Sequence, residues 1–83
     1  MNKKHPNLIK IGKILRESRE MQGYSQDGFA EAAGLGRTYY GRLERGEHNP
    51  SIQNLIRIAI TLKVEVGDLI PPISSLKKTP VRI

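Results

Sequence analysis

The sequence predicts an all-α fold of four or five short helices in one compact domain. Three observations predict it. Apolar residues recur at helical spacings and nothing argues for strands. Glycines and serine caps punctuate the chain at short intervals. One joint, around Gly34, leaves too few residues for a loose loop.

The first helix is read from Leu8 to Gln22, where Leu8, Ile11, Ile14, Leu15 and Met21 fall mostly at helical spacings and Gly23 is a stop signal. Ser25 stands at the N-cap of a second helix opened by Gln26-Asp27. Asp27 is well placed for the positive end of that helix's dipole. Phe29, Ala30 and Ala33 form its buried face, and Gly34 ends it. A third short helix follows from Arg37 to Arg45, with Tyr40 and Leu43 facing inward and Gly46 as its stop. Glu47-His48-Asn49-Pro50-Ser51 is a loop that ends in a second serine cap. Ile52, Leu55, Ile56, Ala59 and Leu62 make the fourth helix strongly amphipathic. Val64 to Ile70 reads as a short fifth turn, and Pro71-Pro72 ends the regular structure. The chain thus divides into a basic N-terminal arm (1–7), a helical domain (8–72) and a basic flexible tail (73–83).

Composition bounds what such a domain does. A chain of 83 residues buries only about two-thirds of the surface it would expose unfolded, too little for a deep site around a large cofactor. With no cysteine, disulfides, thiolate zinc sites and thiol nucleophiles are excluded. The net charge of +6 points to an anionic partner, nucleic acid ahead of a lipid surface. That excess is uneven. Residues 1–13 carry four lysines and no acid, residues 74–83 add Lys77, Lys78 and Arg82, and residues 14–73 hold seven basic against eight acidic side chains. The longest apolar run is Ile58-Ala59-Ile60, which excludes a transmembrane helix or secretory segment and leads to the expectation of a soluble cytoplasmic chain. His5 and His48 have no ligand at metal spacing, and Ser18, Ser25 and Ser51 have no histidine base nearby. Glu44 and Glu47 straddle a helix end beside Arg45, so catalytic, metal and cofactor sites are all expected to be absent.

The informative constellation surrounds Gly34. Two very short helices joined this tightly cross steeply, which is helix-turn-helix geometry. A glycine there takes the left-handed conformation at low steric cost, and the small Ala30 admits the second helix's backbone. With Phe29, Ala33, Leu35, Tyr40 and Leu43 inward, the outward set is Gly36, Arg37, Thr38, Tyr39, Gly41, Arg42 and Arg45. Arginines on one exposed helix suit the major groove, where guanidinium bonds guanine O6 and N7 bidentately and a threonine methyl meets the thymine methyl.

Residues 11–70 resemble a Cro/C1-type, XRE-like helix-turn-helix regulator. The likeness runs through Arg16 and Arg19, Ser25-Gln26, Phe29-Ala30, Gly34-Leu35, Arg37-Thr38-Tyr39, Leu43-Glu44-Arg45-Gly46, Asn49-Pro50-Ser51 and the Leu55 to Leu62 pattern. Arg37-Thr38-Tyr39 and the two motifs after it are most similar to controller proteins of restriction-modification systems. The resemblance implies a lambda-repressor-like fold and assigns roles. Arg37, Thr38 and Arg42 face base edges, with Gly36 allowing close approach. Gln26, Tyr39, Arg45, His48 and Asn49 meet phosphates, Gln26 also bracing the recognition helix (about 36–45), and Arg19 and Glu44 form an internal salt bridge. Three positions depart from the pattern: Tyr40 replaces a β-branched residue and its hydroxyl needs a partner or solvent, Gly41 softens the helix, and Ile60 widens the apolar stripe.

The implied activity is sequence-specific transcriptional regulation by a homodimer on a palindromic double-stranded DNA operator, with autoregulation. Ile56, Ile60, Val64, Val66 and Ile70 are the candidate dimer residues, although they also suit the monomer's own core. RNA polymerase is a further partner under this reading. Two other readings stay open: an antitoxin-type autorepressor whose tail folds on a toxin, and a basic domain that binds nucleic acid without sequence preference.

Overall fold

A computed structural model describes residues 5–78. Four α-helices run in order: α1 (Pro6–Met21), α2 (Gln26–Ala32), α3 (Arg37–Glu44) and α4 (Ile52–Leu62). Two 3-10 turns follow, Val66–Leu69 and Ile73–Ser75, and no strand occurs among the described residues. None of these helices is long and apolar enough to cross a membrane.

The serine caps form as read. Ser25 Oγ accepts from the Gly28 N–H at 3.0 Å, and Ser51 Oγ accepts from the Asn54 N–H at 3.1 Å. α1, however, begins two residues before Leu8. Pro6 opens it, where a missing N–H costs nothing, and the His5 Nδ1 caps it by accepting from the Asn7 N–H at 3.1 Å. The boundary between arm and domain therefore moves towards the N-terminus, and Lys3 and Lys4 lie outside the described residues.

Leu15, Phe29, Ala30, Ala33, Tyr40, Leu43, Leu55, Ile58, Ala59, Leu62 and Leu69 make one core. Phe29 is its aromatic centre, with Tyr24 edge-on at 5.2 Å and Tyr40 tilted at 5.1 Å. α1 crosses the C-terminal end of α3 with the two backbones almost touching. A Cβ on Gly12 would lie 2.4 Å from the Glu44 carbonyl oxygen, so a hydrogen is all the space admits. α4 turns its Leu55, Ile58, Ala59 and Leu62 face inward and ends at Lys63 in the left-handed conformation (φ 60). Gln22 Nε2 donates to the Leu62 carbonyl at 2.7 Å and ties the end of α1 to that terminus.

The segment after Pro72, where regular structure was expected to end, forms the second 3-10 turn and returns to α1 at Lys77. Asn7 reads the Lys77 backbone with both ends of its amide: Nδ2 donates to the carbonyl and Oδ1 accepts the N–H, each at 2.8 Å. Lys10 Nζ donates to the Ser75 carbonyl beside it. No periodicity signals such a contact, because one side chain makes it across 70 positions. The rest of the tail, with Arg82, lies outside the described residues.

Val64 and Val66, expected at a dimer interface, are half-buried against their own chain's core. The short turn folds back under α4 to bury Leu69 and carries both valines inward. Ile56, Ile60 and Ile70 remain exposed, and Ile52 joins them. Ile52, Ile56 and Ile60 recur every fourth residue and so form a stripe along the outer side of α4.

Candidate nucleic-acid interface

The turn between α2 and α3 decides what α3 presents. Gly34 adopts φ 73, and the Leu35 N–H donates back to the Ala30 carbonyl at 2.8 Å. Gly36 caps α3 in an extended conformation without any side-chain bond. Tyr40 and Leu43 are thereby committed to the core, while Arg37, Thr38 and Arg42 stand exposed on one helix. Arg37 lies 3.8 Å from Asp27 in a pair that is well exposed on both sides, so it is held only loosely.

Around this helix the structure places the residues expected at phosphates. Arg45, His48 and Asn49 are exposed at and beyond its C-terminal end. Tyr39 is half-buried: its ring meets His48 edge-on at 5.1 Å, and its hydroxyl accepts from Asn54 Nδ2 at 2.8 Å. A phenol that accepts in this way keeps its own proton to give to a phosphate oxygen. Asn54 was not singled out from the sequence. Its position in the first turn of α4 carries no signal that it braces a tyrosine 15 residues earlier.

Beneath the interface lies the Arg19–Glu44 pair. Arg19 Nε donates to Glu44 Oε2 at 2.7 Å and Nη2 donates to Oε1 at 3.1 Å, with side-chain exposures of 9% and 3%. Arg19 Nη1 also donates to the Tyr24 carbonyl at 2.8 Å. Gln26 Nε2 donates to Glu44 Oε1 at 3.0 Å, which braces the start of α2 against the end of α3. Burial pushes the Glu44 carboxyl pKa up, but the hydrogen bond from Arg19, the neighbouring Tyr40 and Gln26 groups and the Arg19 charge outweigh this and hold it below the ordinary range. The same hydrogen bond to Glu44 raises the Arg19 pKa against the effect of burial.

Tyr40 departs from expectation. Its hydroxyl neither reaches solvent nor makes a hydrogen bond of ordinary geometry, although it lies beside Glu44 and Arg19. Burial, with the Glu44 carboxylate next to it, pushes the phenol pKa well above its usual value. Gly41 departs as well. It was read as outward but is buried at the crossing with α2, where a Cβ would come within 3.2 Å of Arg45 Nη1 and 3.3 Å of Gln26 Oε1.

Short crossed helices, a buried brace beneath them and a basic outer face together define a helix-turn-helix domain. A helix-turn-helix family model matches residues 15–69, and the chain belongs to that family, as a DNA-binding transcriptional regulator of the Cro/C1 (XRE) type and not an enzyme. It is 42% identical over 60 residues to the transcriptional regulator SlrR of Bacillus subtilis, in a match that covers 71% of this chain and 40% of SlrR. The crystal structure of the restriction-modification controller protein C.AhdI from Aeromonas hydrophila superposes with a TM-score of 0.76 at 40% identity, covering 78% of this chain and 98% of that one. SinR, a master regulator for biofilm formation solved in complex with DNA, superposes with a TM-score of 0.69 at 38% identity, covering 71% and 95%.

Proposed function

We propose that the chain binds a palindromic DNA operator as a homodimer and regulates transcription from it, its own promoter included. The observation that carries this reading is the exposed set Arg37, Thr38 and Arg42 on a helix whose other side is locked into the core. In this reading α3 enters the major groove. Gly36 lets its start come close, and Arg37, Thr38 and Arg42 meet base edges. Gln26, Tyr39, Arg45, His48 and Asn49 hold the flanking phosphates and set the register.

One helix of this length reads only a few base pairs, so specificity needs two copies, with half-sites about 34 Å apart. The exposed stripe of Ile52, Ile56 and Ile60, with Ile70 beside it, is the surface that supports pairing. Kinship with a controller protein and with a DNA-bound biofilm regulator supports the same class of activity in the cytoplasm. The toxin-binding alternative gains no support from the described part of the tail, whose Lys77 backbone is hydrogen-bonded to Asn7 of α1.

Selection of duplexes from a random pool, together with the DNA upstream of the protein's own gene, tests the proposal. A two-fold symmetric consensus present in that upstream DNA is expected. Arg37→Ala should weaken binding to it by about 1–3 kcal/mol while leaving an arbitrary duplex nearly unaffected. An Arg37→Ala protein that keeps full affinity for the selected site overturns the assignment of α3.

A further inference from the structure

The α1–α2–α3 junction holds an open notch of about 270 Å³ lined by Arg16, Arg19, Gln26, Glu44 and Arg45. Its charges are not equivalent. Arg19 and Glu44 form the buried floor and cancel one another. Arg16 and Arg45 are the exposed rim, each paired with a carboxylate: Arg16 Nε lies 3.3 Å from Oε2 of the exposed Glu20, and Arg45 Nε lies 3.2 Å from Oε2 of the more buried Glu47. Gln26 reaches in between with one amide hydrogen committed to Glu44 and a second to offer. Arg45 and Gln26 approach each other over Gly41, at the place a Cβ would occupy.

We propose that this notch takes a single phosphate of the DNA backbone, held jointly by Arg16, Arg45 and the second Gln26 N–H, and that Gly41 is the position that lets them converge. The proposal rests on the DNA-binding reading and adds two residues to it, Arg16 on α1 and Gly41 on α3. Phosphate is the chemistry that fits. Two guanidinium forks and an amide donate, while the one carboxylate in the floor is already satisfied by Arg19 and Gln26. A surface pair such as Arg16–Glu20 is worth little, so Arg16 exchanges it for a phosphate at small cost, while the half-exposed Arg45 has further N–H donors to offer beside its pair with Glu47. Because the contact is to backbone, it adds affinity and register without base choice.

Gly41 gives the proposal an unusual signature. An alanine there favours the helix, and its Cβ meets only the far ends of two flexible side chains, which swing away. Gly41→Ala should therefore leave the unfolding temperature unchanged or raise it by a few degrees, while weakening binding to every duplex.

The test uses a short duplex of arbitrary sequence, with affinity measured across a salt series for the full chain and for Arg16→Gln, Arg45→Gln, the double variant and Gly41→Ala. Arg16 is exposed, so its variant folds. Arg16→Gln should lose roughly tenfold in affinity near 0.1 M salt. One phosphate shared within each notch predicts that the double variant flattens the salt slope by about 0.9 per bound protomer, one counterion equivalent each. A flattening of about 1.8 per bound protomer in the double variant, an unchanged Arg16→Gln, or a Gly41→Ala of full affinity each overturns the notch while leaving DNA binding intact. Inorganic phosphate that binds the isolated chain as tightly as duplex does would show a free-anion site, and this also overturns it. If the unaltered chain binds no duplex with salt-dependent affinity, the proposed function falls together with the notch.

Discussion

Glu44→Gln removes a charge from beneath the recognition helix without changing the side chain's shape. The bond lengths of 2.7 and 3.1 Å and the exposures of 9% and 3% mark a pair that solvent scarcely screens. Breaking such a pair by removing one charge costs about 3–5 kcal/mol, because the other is stranded in the interior. Here Arg19 keeps its bond to the Tyr24 carbonyl and glutamine still accepts one hydrogen bond, so the lower end, about 3 kcal/mol, is expected. For a domain of this size that corresponds to a fall of roughly 12 to 24 °C in unfolding temperature. Thermal and urea unfolding followed by circular dichroism measure it, with Arg19→Met/Glu44→Leu as the companion. The apolar pair strands no charge, so the double variant should recover most of the loss. The pH dependence fixes the origin. A carboxyl whose folded pKa is depressed contributes its full stability above the unfolded value of about 4.3, and that contribution disappears as pH falls through the folded pKa. Wild type and Glu44→Gln should thus converge in acid. A difference that stays constant from neutral pH into acid, or a double variant no better than the single, would refute the reasoning.

Three further perturbations probe other joints. Gly12→Ala sets a methyl 2.4 and 2.5 Å from the Glu44 and Leu43 carbonyl oxygens, and since backbone cannot swing aside, a loss of about 1–3 kcal/mol is expected in urea unfolding. An unaltered midpoint would mean that α1 and α3 are not in such close contact. Ile60→Glu, at a position 71% exposed, should leave the fold intact and turn the proposed dimer into a monomer at tens of micromolar. Sedimentation showing the same assembly as wild type would remove α4 from the interface. Asn7→Ala deletes both hydrogen bonds to Lys77, so the Lys77 amide should lose its protection against hydrogen exchange while the core keeps its own; equal protection in both proteins would place the anchor elsewhere.

The sequence by itself determined the helices, the tight joint at Gly34 and the side of α3 that carries Arg37, Thr38 and Arg42. These are local matters: apolar period, serine caps and a glycine where left-handed backbone is needed all act within a few residues. Arg19 and Glu44 were read from a motif, and the structure supplied their depth and the Gln26 brace. Tertiary structure alone decided the rest. Gly41 counts as outward on a helical wheel, yet the Gln26 and Arg45 side chains close over it and bury it. Val64 and Val66 suit an interface or the chain's own core equally well in sequence, and the structure packs both, half-buried, against the core. Asn54 behind Tyr39, Arg16 on the rim of the notch and Asn7 on Lys77 act across 15 to 70 positions, as single side-chain contacts that no repeating pattern announces. A period in sequence reports which way one helix faces. Only the packing of that helix against another shows what it meets there.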